Sequence, residues 1–195
     1  MIQVPTDLDR RFRELAATAG LLDVAYDLTD SPVGELLVAV TERGVCRISF
    51  EANATIDDLA GTFGARVLRV PERLEPVRRQ LDDYFEGRLK SFELATDLTP
   101  LPAFQRSVLE ELARVRYGDV TTYGTLAGRL GRPRAARAVG GALNRNPVAI
   151  VLPCHRVVGA NGSLVGYAGG LERKRALLEL EGALSPPLPD DGSSK

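Results

Sequence analysis

The sequence predicts two unlike halves: an α/β N-terminal half built on an antiparallel sheet, and a mainly α C-terminal half that contains a helix-turn-helix. Two observations lead to this fold class. Apolar residues occur in short runs bounded by turn residues between residues 24 and 50, whereas they recur at helical spacing after residue 102. Between the halves lies the segment TPLP, and prolines favour extended linker geometry. We therefore expect one domain over residues 23–101 and a second over residues 102–182.

The first half begins with a helical pattern. Apolar and charged residues are interleaved at helical spacing over residues 6–19, which predicts a helical extension within residues 1–22. Three runs, VAYDLT, ELLVAVT and VCRISF, are then separated by the turn signals SPVG and RG, a pattern typical of strands. The predicted strands span residues 24–29, 35–41 and 45–50, and the predicted helices of this half span residues 56–63 and 74–85.

The second half has the outline of a helix-turn-helix. A tight turn, GRP at residues 131–133, separates two short helical patterns, and its proline suits a first helical position. Many paired helices have this spacing without touching DNA, so the pattern alone leaves both interpretations open. The predicted helices span residues 104–114, 122–130 and 133–143. Residues 183–195 are rich in Pro, Asp and Ser, which predicts a disordered tail.

The last of these helices, PRAARAVGGALN, consists mostly of alanine and glycine. Two adjacent glycines inside a helix cost roughly 1 kcal/mol each relative to alanine, so a compensating interaction is expected. A face of small residues allows another surface to come very close. That surface is either a neighbouring helix or a nucleic-acid groove too narrow for long side chains.

Composition restricts the class of protein. The 195 residues are 26% charged and 44% hydrophobic, as in soluble globular proteins, and no apolar run approaches the ~18 residues that span a bilayer. The N-terminus lacks the apolar core of a signal peptide, so we expect a cytoplasmic protein without a membrane partner. Two cysteines do not make a disulfide framework, and a single histidine excludes a structural Cys/His zinc site, so no metal is expected.

The net charge of −1 conceals an asymmetry. Residues 1–101 carry 12 Lys and Arg against 18 Asp and Glu, whereas residues 102–181 carry 12 against 6. Between residues 114 and 175 the count is 11 against 2. Chance clustering on a solvated face would explain these counts, and so would contact between the second half and a polyanion.

One segment carries an unusual group of reactive residues. In NPVAIVLPCHRVV, residues 146–158, an apolar run suited to a buried strand over 148–152 is followed by Pro153 and then by Cys, His and Arg. Cys46 lies in an ordinary apolar context, where cysteine behaves as an inert small hydrophobe. Cys154 differs, because the only histidine of the chain follows it directly.

Nucleophilic chemistry explains this grouping. A cysteine thiol is mostly protonated at neutral pH and its thiolate is the nucleophile, so it needs a base and a positive environment. His155 is the available base, and a carboxylate on its other nitrogen would orient it. Adjacent residues of a strand point to opposite faces. Pairing of Cys154 with His155 therefore requires either a turn at Pro153 or a bridging water.

Five motifs of the second half together resemble a known family, the O6-alkylguanine-DNA alkyltransferases. They are FQRSVLEEL, YGDVTTYGTLA, RAARAVGGAL, NPVAIVLPCHRVVG and GYAGGLERKRALLELEG, in this order over residues 102–182. Residues 24–90 are compatible with the family's variable N-terminal domain, which implies a ribonuclease H-like first half. The implied activity is DNA repair by irreversible transfer of an alkyl group to the protein, once per molecule, from O6-alkylguanine or O4-alkylthymine.

The resemblance also implies roles for particular residues. Cys154 is similar to the alkyl acceptor, His155 to the base that acts on it through water, and Glu181 to the carboxylate that orients the imidazole. Asn146 resembles the hinge asparagine that joins the helix-turn-helix to the active-site segment. Tyr123 resembles the tyrosine that donates to guanine and crowds the target phosphate. A residue such as Glu181 could instead serve only to cap or salt-bridge the last helix.

DNA binding is implied for the Ala/Gly-rich helix, which lies in the minor groove in this family. Arg137 resembles the arginine that fills the space left by the flipped nucleotide. The other residues implied in DNA contact are Ala135, Ala136, Ala138, Gly140 and Tyr123, and those implied in the guanine pocket are Val157, Tyr167 and Ala168. The implied partner is alkylated double-stranded DNA, bound by a monomer. No cofactor is implied, because the lesion supplies the alkyl group.

Two departures from the family pattern and three rival functions remain. Ala149 stands where animal members have a proline, which leaves the preferred alkyl size open, and the residues that hold zinc in some members are absent. A non-catalytic relative would bind the lesion without repair, but such proteins replace the cysteine that is present here as Cys154. A helix-turn-helix regulator would not need the sequence PCHR, and a cysteine hydrolase would turn over many times.

Overall fold

The computed structural model describes Leu15 and residues 20–50 and 53–184. The predicted N-terminal helix and the predicted disordered tail lie almost wholly outside these residues. Within them, none of the helices has the length and apolar character needed to cross a membrane.

The first half forms one sheet with two helices. Its strands are β1 (Val24–Thr29), β2 (Leu36–Thr41), β3 (Gly44–Ser49) and β4 (Val67–Arg69), and its helices are α1 (Asn53–Phe63) and α2 (Glu75–Phe85). A 3-10 turn, Pro71–Leu74, leads into α2. The sheet order is β3-β2-β1-β4, and the three predicted strands pair antiparallel. The sequence did not predict β4, which pairs in parallel with β1 and is too short, at three residues, to show an alternating pattern.

Both faces of this sheet are buried. One face packs against α1 through a small cluster that includes Leu37, Cys46 and Leu59. The other face belongs to a larger cluster that runs through Ile48 and Tyr84 into the helices of the second half. The two halves therefore share one continuous hydrophobic core, and groups from both meet at their junction.

The second half contains the predicted helix-turn-helix. Its helices are α3 (Ala103–Leu112), α4 (Tyr123–Arg129), α5 (Ala136–Asn144) and α6 (Leu171–Leu180), and its short strands are β5 (Thr121–Thr122) and β6 (Val157–Val158). The hydroxyl of Thr122 accepts a hydrogen bond from the Thr125 N–H at 3.1 Å and so caps α4. Because β5 and β6 pair in parallel, the helix-turn-helix lies beside the 3-10 turn Cys154–Arg156.

The start of α5 corrects the sequence prediction. Pro133 is not at the first helical position, because residues 132–135 form a turn closed by the Ala135 N–H on the Arg132 carbonyl at 2.8 Å. The helix begins at Ala136 instead. Proline is compatible with both conformations, so its presence alone did not decide between them.

The predicted strand over residues 148–152 is wrong. Val148 alone pairs with a strand residue, Ile48, and the chain then coils so that the Leu152 N–H reaches the Val148 carbonyl at 3.0 Å. Ile150 has a φ of 72°, a left-handed conformation that is rare for a β-branched residue, and it is fully buried. An apolar run indicates burial but does not distinguish a strand from a buried turn. The coil brings Cys154 back beside Asn146.

Candidate active site

Cys154 opens the 3-10 turn at the junction of the two halves, and 8% of its surface is exposed. Two cavities meet at it. One, of about 180 Å³, is bounded partly by the first half through Phe50 and otherwise by residues such as Ala149 and Arg173. The other, of about 380 Å³, reaches Tyr123 on α4 and Gly140 and Gly141 on α5. Tyr167 and Ala168 line both cavities.

Asn146 holds the sulfur of Cys154. Its Nδ2 donates to Cys154 Sγ at 3.2 Å and to the Leu152 carbonyl at 2.8 Å, and its Oδ1 accepts from the Val148 N–H at 3.1 Å. Burial raises the pKa of the Cys154 thiol, and the Asn146 hydrogen bond and the charge of Lys174 oppose that shift only in part. At neutral pH the sulfur is therefore a thiol that must lose its proton before it can attack.

His155, the neighbouring imidazole, is neutral. It is completely buried, and burial lowers its pKa although Glu181 partly opposes the shift. Its Nε2 lies 2.9 Å from Glu181 Oε1. Because a carboxylate only accepts, Nε2 carries the proton and Nδ1 keeps its lone pair. No described residue forms a hydrogen bond to Nδ1.

The carboxylate of Glu181 is held from several sides. Arg156 donates to both of its oxygens at 2.8 Å, and the hydroxyl of Tyr84 donates to Oε1 at 2.7 Å. Burial alone would raise the pKa of Glu181, but hydrogen bonds from His155 and Arg156 lower it to about 2. The carboxylate is therefore ionised at neutral pH, where it accepts the hydrogen bonds from His155, Arg156 and Tyr84.

Arg156 does not activate Cys154 directly. Its guanidinium is occupied by Glu181 and by the Val115 carbonyl, which accepts from Nη1 at 2.6 Å. The structure thus brings together the predicted residues Cys154, His155, Glu181 and Asn146, and it assigns the neighbouring arginine to the carboxylate.

Sequence reasoning missed two buried polar residues, Tyr84 and Lys174. Lys174 is fully buried, and its Nζ donates to the carbonyls of Val157 and Val165, both at 2.6 Å. The signal was present, because Lys174 lies three and four residues before the buried Leu177 and Leu178 on α6. Lys174 tethers the segment that carries Tyr167 and Ala168 over the site.

The remaining predicted pocket residues are placed as follows. Tyr123 begins α4, and its hydroxyl donates to the carbonyls of Val165 and Gly166 at 3.2 and 3.3 Å. Val157 is fully buried and lines neither cavity beside Cys154, although its carbonyl is the group that Lys174 binds.

The small residues of α5 are not required by packing within the described chain. A Cβ at Gly140 would lie 3.6 Å from the Tyr123 ring, and one at Gly141 would lie 3.8 Å from Arg145, which are ordinary contact distances. Arg137 and Ala138 are exposed, while Ala135, Ala136 and Gly140 are half-buried. Close packing between helices therefore does not explain the glycine pair.

The second half carries several exposed arginines. Arg114, Arg116 and Arg129 each pair with a nearby carboxylate. Within the second half, four other exposed arginines have no ion pair among the described residues: Arg132, Arg134, Arg137 and Arg145. All four lie on the turn and helix of α5 or directly after it, so the unpaired positive charge of the second half is concentrated around this helix.

Comparison with known proteins agrees with the geometry. Residues 24–98 match the family model described as 6-O-methylguanine DNA methyltransferase, ribonuclease-like domain, and residues 103–183 match its DNA binding domain. A methylated-DNA–protein-cysteine methyltransferase of Methanosarcina acetivorans is 43% identical over 81% of this chain and 98% of its own length. One of Mycobacterium leprae is 53% identical over 78% and 88%.

A solved structure shows the same architecture. The crystal structure of Mycobacterium tuberculosis OGT in complex with DNA aligns with a TM-score of 0.73 at 38% identity, and covers 82% of this chain and 93% of that one. The segments matched by the two family models, residues 24–98 and 103–183, include Tyr84, Asn146, Cys154, His155 and Glu181. The chain therefore belongs to the 6-O-methylguanine DNA methyltransferase family.

Proposed function

We propose that this protein repairs DNA by direct reversal, moving the alkyl group of O6-alkylguanine, and also of O4-alkylthymine, onto Sγ of Cys154 irreversibly and once per molecule. One observation carries the proposal. The only histidine of the chain is fixed by a buried carboxylate on one nitrogen, has a free lone pair on the other, and follows a cysteine that opens onto two cavities.

The transfer step balances with the groups at the site. The thiol proton of Cys154 passes through a water molecule to Nδ1 of His155, and the thiolate attacks the alkyl carbon. A C–S bond forms, the bond from that carbon to O6 breaks, and guanine leaves with a proton from Tyr123. Burial raises the pKa of Tyr123, so its hydroxyl is protonated and able to donate. The imidazolium and the tyrosinate then neutralise each other through solvent.

DNA binding supplies the base to this site. The target atom lies inside a duplex, so the nucleotide must be flipped out before the sulfur can reach it. We place the small-residue face of α5 in the minor groove, with Arg137 filling the space that the base leaves. The unpaired arginines around α5 would contact phosphates without regard to sequence. The flipped guanine would enter at Cys154, where the two cavities lined by Tyr167 and Ala168 meet. Asn146 would join this helix to the reactive segment.

The same reasoning defines the conditions of action. The lesion provides the alkyl group and the protein provides the acceptor, so the reaction needs no cofactor. A single chain contributes every group named above, so we expect the protein to act as a monomer. We expect it to act in the cytoplasm. A thioether has no easy route back to a thiol, so the protein is consumed.

The intact mass of the protein tests this function. After incubation with a duplex containing O6-methylguanine, the mass should rise by one methylene equivalent, located on the peptide that contains Cys154. Cys154→Ala should bind the duplex and show no mass change, while Cys46→Ala should behave as wild type. Binding by wild type without any mass change would indicate a non-catalytic lesion binder. Product beyond one equivalent would indicate a hydrolase, and label on Cys46 would remove Cys154 from the reaction.

A further inference from the structure

Among the described residues of the first half, Tyr84 is the one whose side chain forms a hydrogen bond to the carboxylate of Glu181. It lies on α2, 97 residues from Glu181 in sequence, and both side chains are fully buried. Its hydroxyl donates to Glu181 Oε1 at 2.7 Å. The same oxygen faces His155 Nε2 at 2.9 Å. The Tyr84 hydroxyl therefore binds the same oxygen of Glu181 that binds His155 Nε2.

Packing alone does not account for a tyrosine at this position. Its ring contacts the rings of Phe85, Phe92 and Tyr117 at centroid distances of 5.3, 5.2 and 6.0 Å. A phenylalanine would make the same ring contacts. A buried hydroxyl costs free energy unless it is hydrogen-bonded, so its presence in this apolar cluster is tied to its partner.

We propose that Tyr84 is a positioning residue for alkyl transfer: its hydroxyl fixes the carboxylate of Glu181 and limits the negative charge which that carboxylate presents to His155. This inference rests on the function proposed above. It gives the first half of the molecule a part in the reaction besides forming a wall of the site.

The effect on His155 has a definite sign. A hydrogen bond from Tyr84 spreads the charge of Oε1, so that oxygen stabilises the imidazolium less than a carboxylate without this donor would. Removing the hydroxyl should therefore raise the pKa of His155. The other titratable or charged groups that face His155 and Glu181 are Cys154, Arg156, Lys174 and Tyr117, and all of them remain when the hydroxyl is removed.

The pH dependence of the alkyl-transfer rate should show the same rise in the pKa of His155. Only the neutral imidazole accepts the thiol proton, so a higher pKa of His155 moves the acidic limb of the transfer rate to higher pH. Tyr84→Phe should be slower than wild type on the acidic limb of the pH profile and should approach it as the pH rises above that limb. A residue that served only to fill the core would lower the rate by the same factor at every pH.

The chain offers a matched control. Tyr117 lies in the same aromatic cluster, but its hydroxyl donates to the Leu180 backbone carbonyl at 2.9 Å rather than to the carboxylate. Because the chain has one histidine, labelling with ¹⁵N-histidine gives a single imidazole whose tautomer and pKa can be followed without DNA. The variants to compare are wild type, Tyr84→Phe, Tyr117→Phe and Glu181→Gln with and without Tyr84→Phe.

We expect Tyr84→Phe to raise the pKa of His155 measurably, and Tyr117→Phe to leave it nearly unchanged. In the Glu181→Gln background, Tyr84→Phe should add no further shift. Equal values for wild type and Tyr84→Phe, or equal shifts in both phenylalanine variants, would overturn the inference. So would loss of the fold on removing this one oxygen atom, because the hydroxyl would then be structural.

Methyl transfer to the wild-type protein shows whether a negative result concerns this inference or the proposed function. If wild type accepts a methyl group and the His155 titration does not respond to Tyr84→Phe, the function stands and the role of Tyr84 is wrong. If wild type accepts no methyl group, the proposed function fails whatever the titration shows, and the inference about alkyl transfer fails with it.

Discussion

Asp27 in the first half and Glu181 in the second are both buried carboxylates paired with arginine. Asp27 lies on β1 and pairs with Arg69, whose Nε lies 2.5 Å away, and with Arg78. Glu181 follows α6 and pairs with the buried Arg156. On composition and burial the two clusters look alike.

They differ in what else they touch. Both arginines of the Asp27 cluster reach the surface in part, and neither cavity at Cys154 includes the cluster. The Glu181 cluster adds His155, which is held on one nitrogen and free on the other, next to a cysteine on a cavity. A buried Asp–Arg or Glu–Arg pair is therefore not in itself a sign of function. The base with an unused lone pair beside a nucleophile is the distinguishing feature.

The largest expected effect is on Glu181. Glu181→Gln removes the charge that orients His155, and loss of an oriented general base lowers a rate by roughly 10²–10⁴-fold. The single-turnover rate of methyl transfer, measured from about pH 6 to pH 9, should fall by this factor at pH 7. The remaining rate should rise with pH, because hydroxide then forms the thiolate without help.

A second variant shows whether the effect comes from losing any carboxylate near the end of α6 or from losing the one at Glu181. Glu179→Gln makes the identical change two residues earlier, beside Arg175, and should leave the rate near that of wild type. Thermal unfolding of both variants checks that the fold is retained. If Glu181→Gln matches wild type across the pH range, Cys154 is activated by other means and the distinction between the two clusters is lost.

Asp27→Asn should affect stability instead of rate. It leaves two arginines without their carboxylate, and because both are partly exposed we expect a loss of about 1–3 kcal/mol in the free energy of unfolding. The transfer rate per folded molecule at 25 °C should not change. Denaturant unfolding measures the first quantity, with the exposed Asp30→Asn as control. A slower transfer in folded Asp27→Asn would show that both clusters serve the reaction.

Arg137→Ala tests the DNA side of the second half. If Arg137 holds the flipped state, its loss should slow repair of duplex DNA by about 10-fold, since flipping costs a few kcal/mol, and should hardly affect reaction with the free base O6-methylguanine. Arg134→Ala removes the same charge from the preceding turn and should weaken duplex binding in a salt-dependent way with less effect on the rate. An equal loss on both substrates would place Arg137 in the fold or the pocket.

The smallest expected effect concerns Phe50, which the first half contributes to the lining of the smaller cavity beside Cys154. Phe50 packs against Tyr167 at 6.1 Å and lies 4.8 Å beneath the guanidinium of Arg173, on the smaller cavity. Phe50→Ala should enlarge this cavity and raise the rate with O6-benzylguanine relative to O6-methylguanine by about 3-fold, or roughly 0.7 kcal/mol. Phe63→Ala, against the other face of the sheet, is the control. An unchanged ratio would show that this wall does not limit the alkyl group.

The sequence located the reactive groups better than it located the structure that holds them. Cys154 and His155 lie in a motif whose residue types are themselves unusual, and Glu181 was named from the family resemblance. Tyr84 is different, because its spacing from Val77 and Leu81 indicates burial of the ring, and no local pattern reveals a hydroxyl partner 97 residues away. For the same reason the apolar run over 148–152 predicted burial correctly and conformation wrongly. Side-chain pattern reports the environment of a residue, whereas its partners depend on the tertiary fold.

The left-handed backbone of Ile150 has a practical consequence for measurement. Such a conformation costs a β-branched residue on the order of 1–3 kcal/mol, and only the surrounding core can impose it. Residues 146–158 cut from the chain would relax, and Cys154 would separate from Asn146 and from the buried base. Reactivity toward the lesion is thus a property of the folded molecule alone. An end-point titration with a labelled substrate would count folded molecules in a preparation directly, and the shortfall against total protein would give the misfolded fraction.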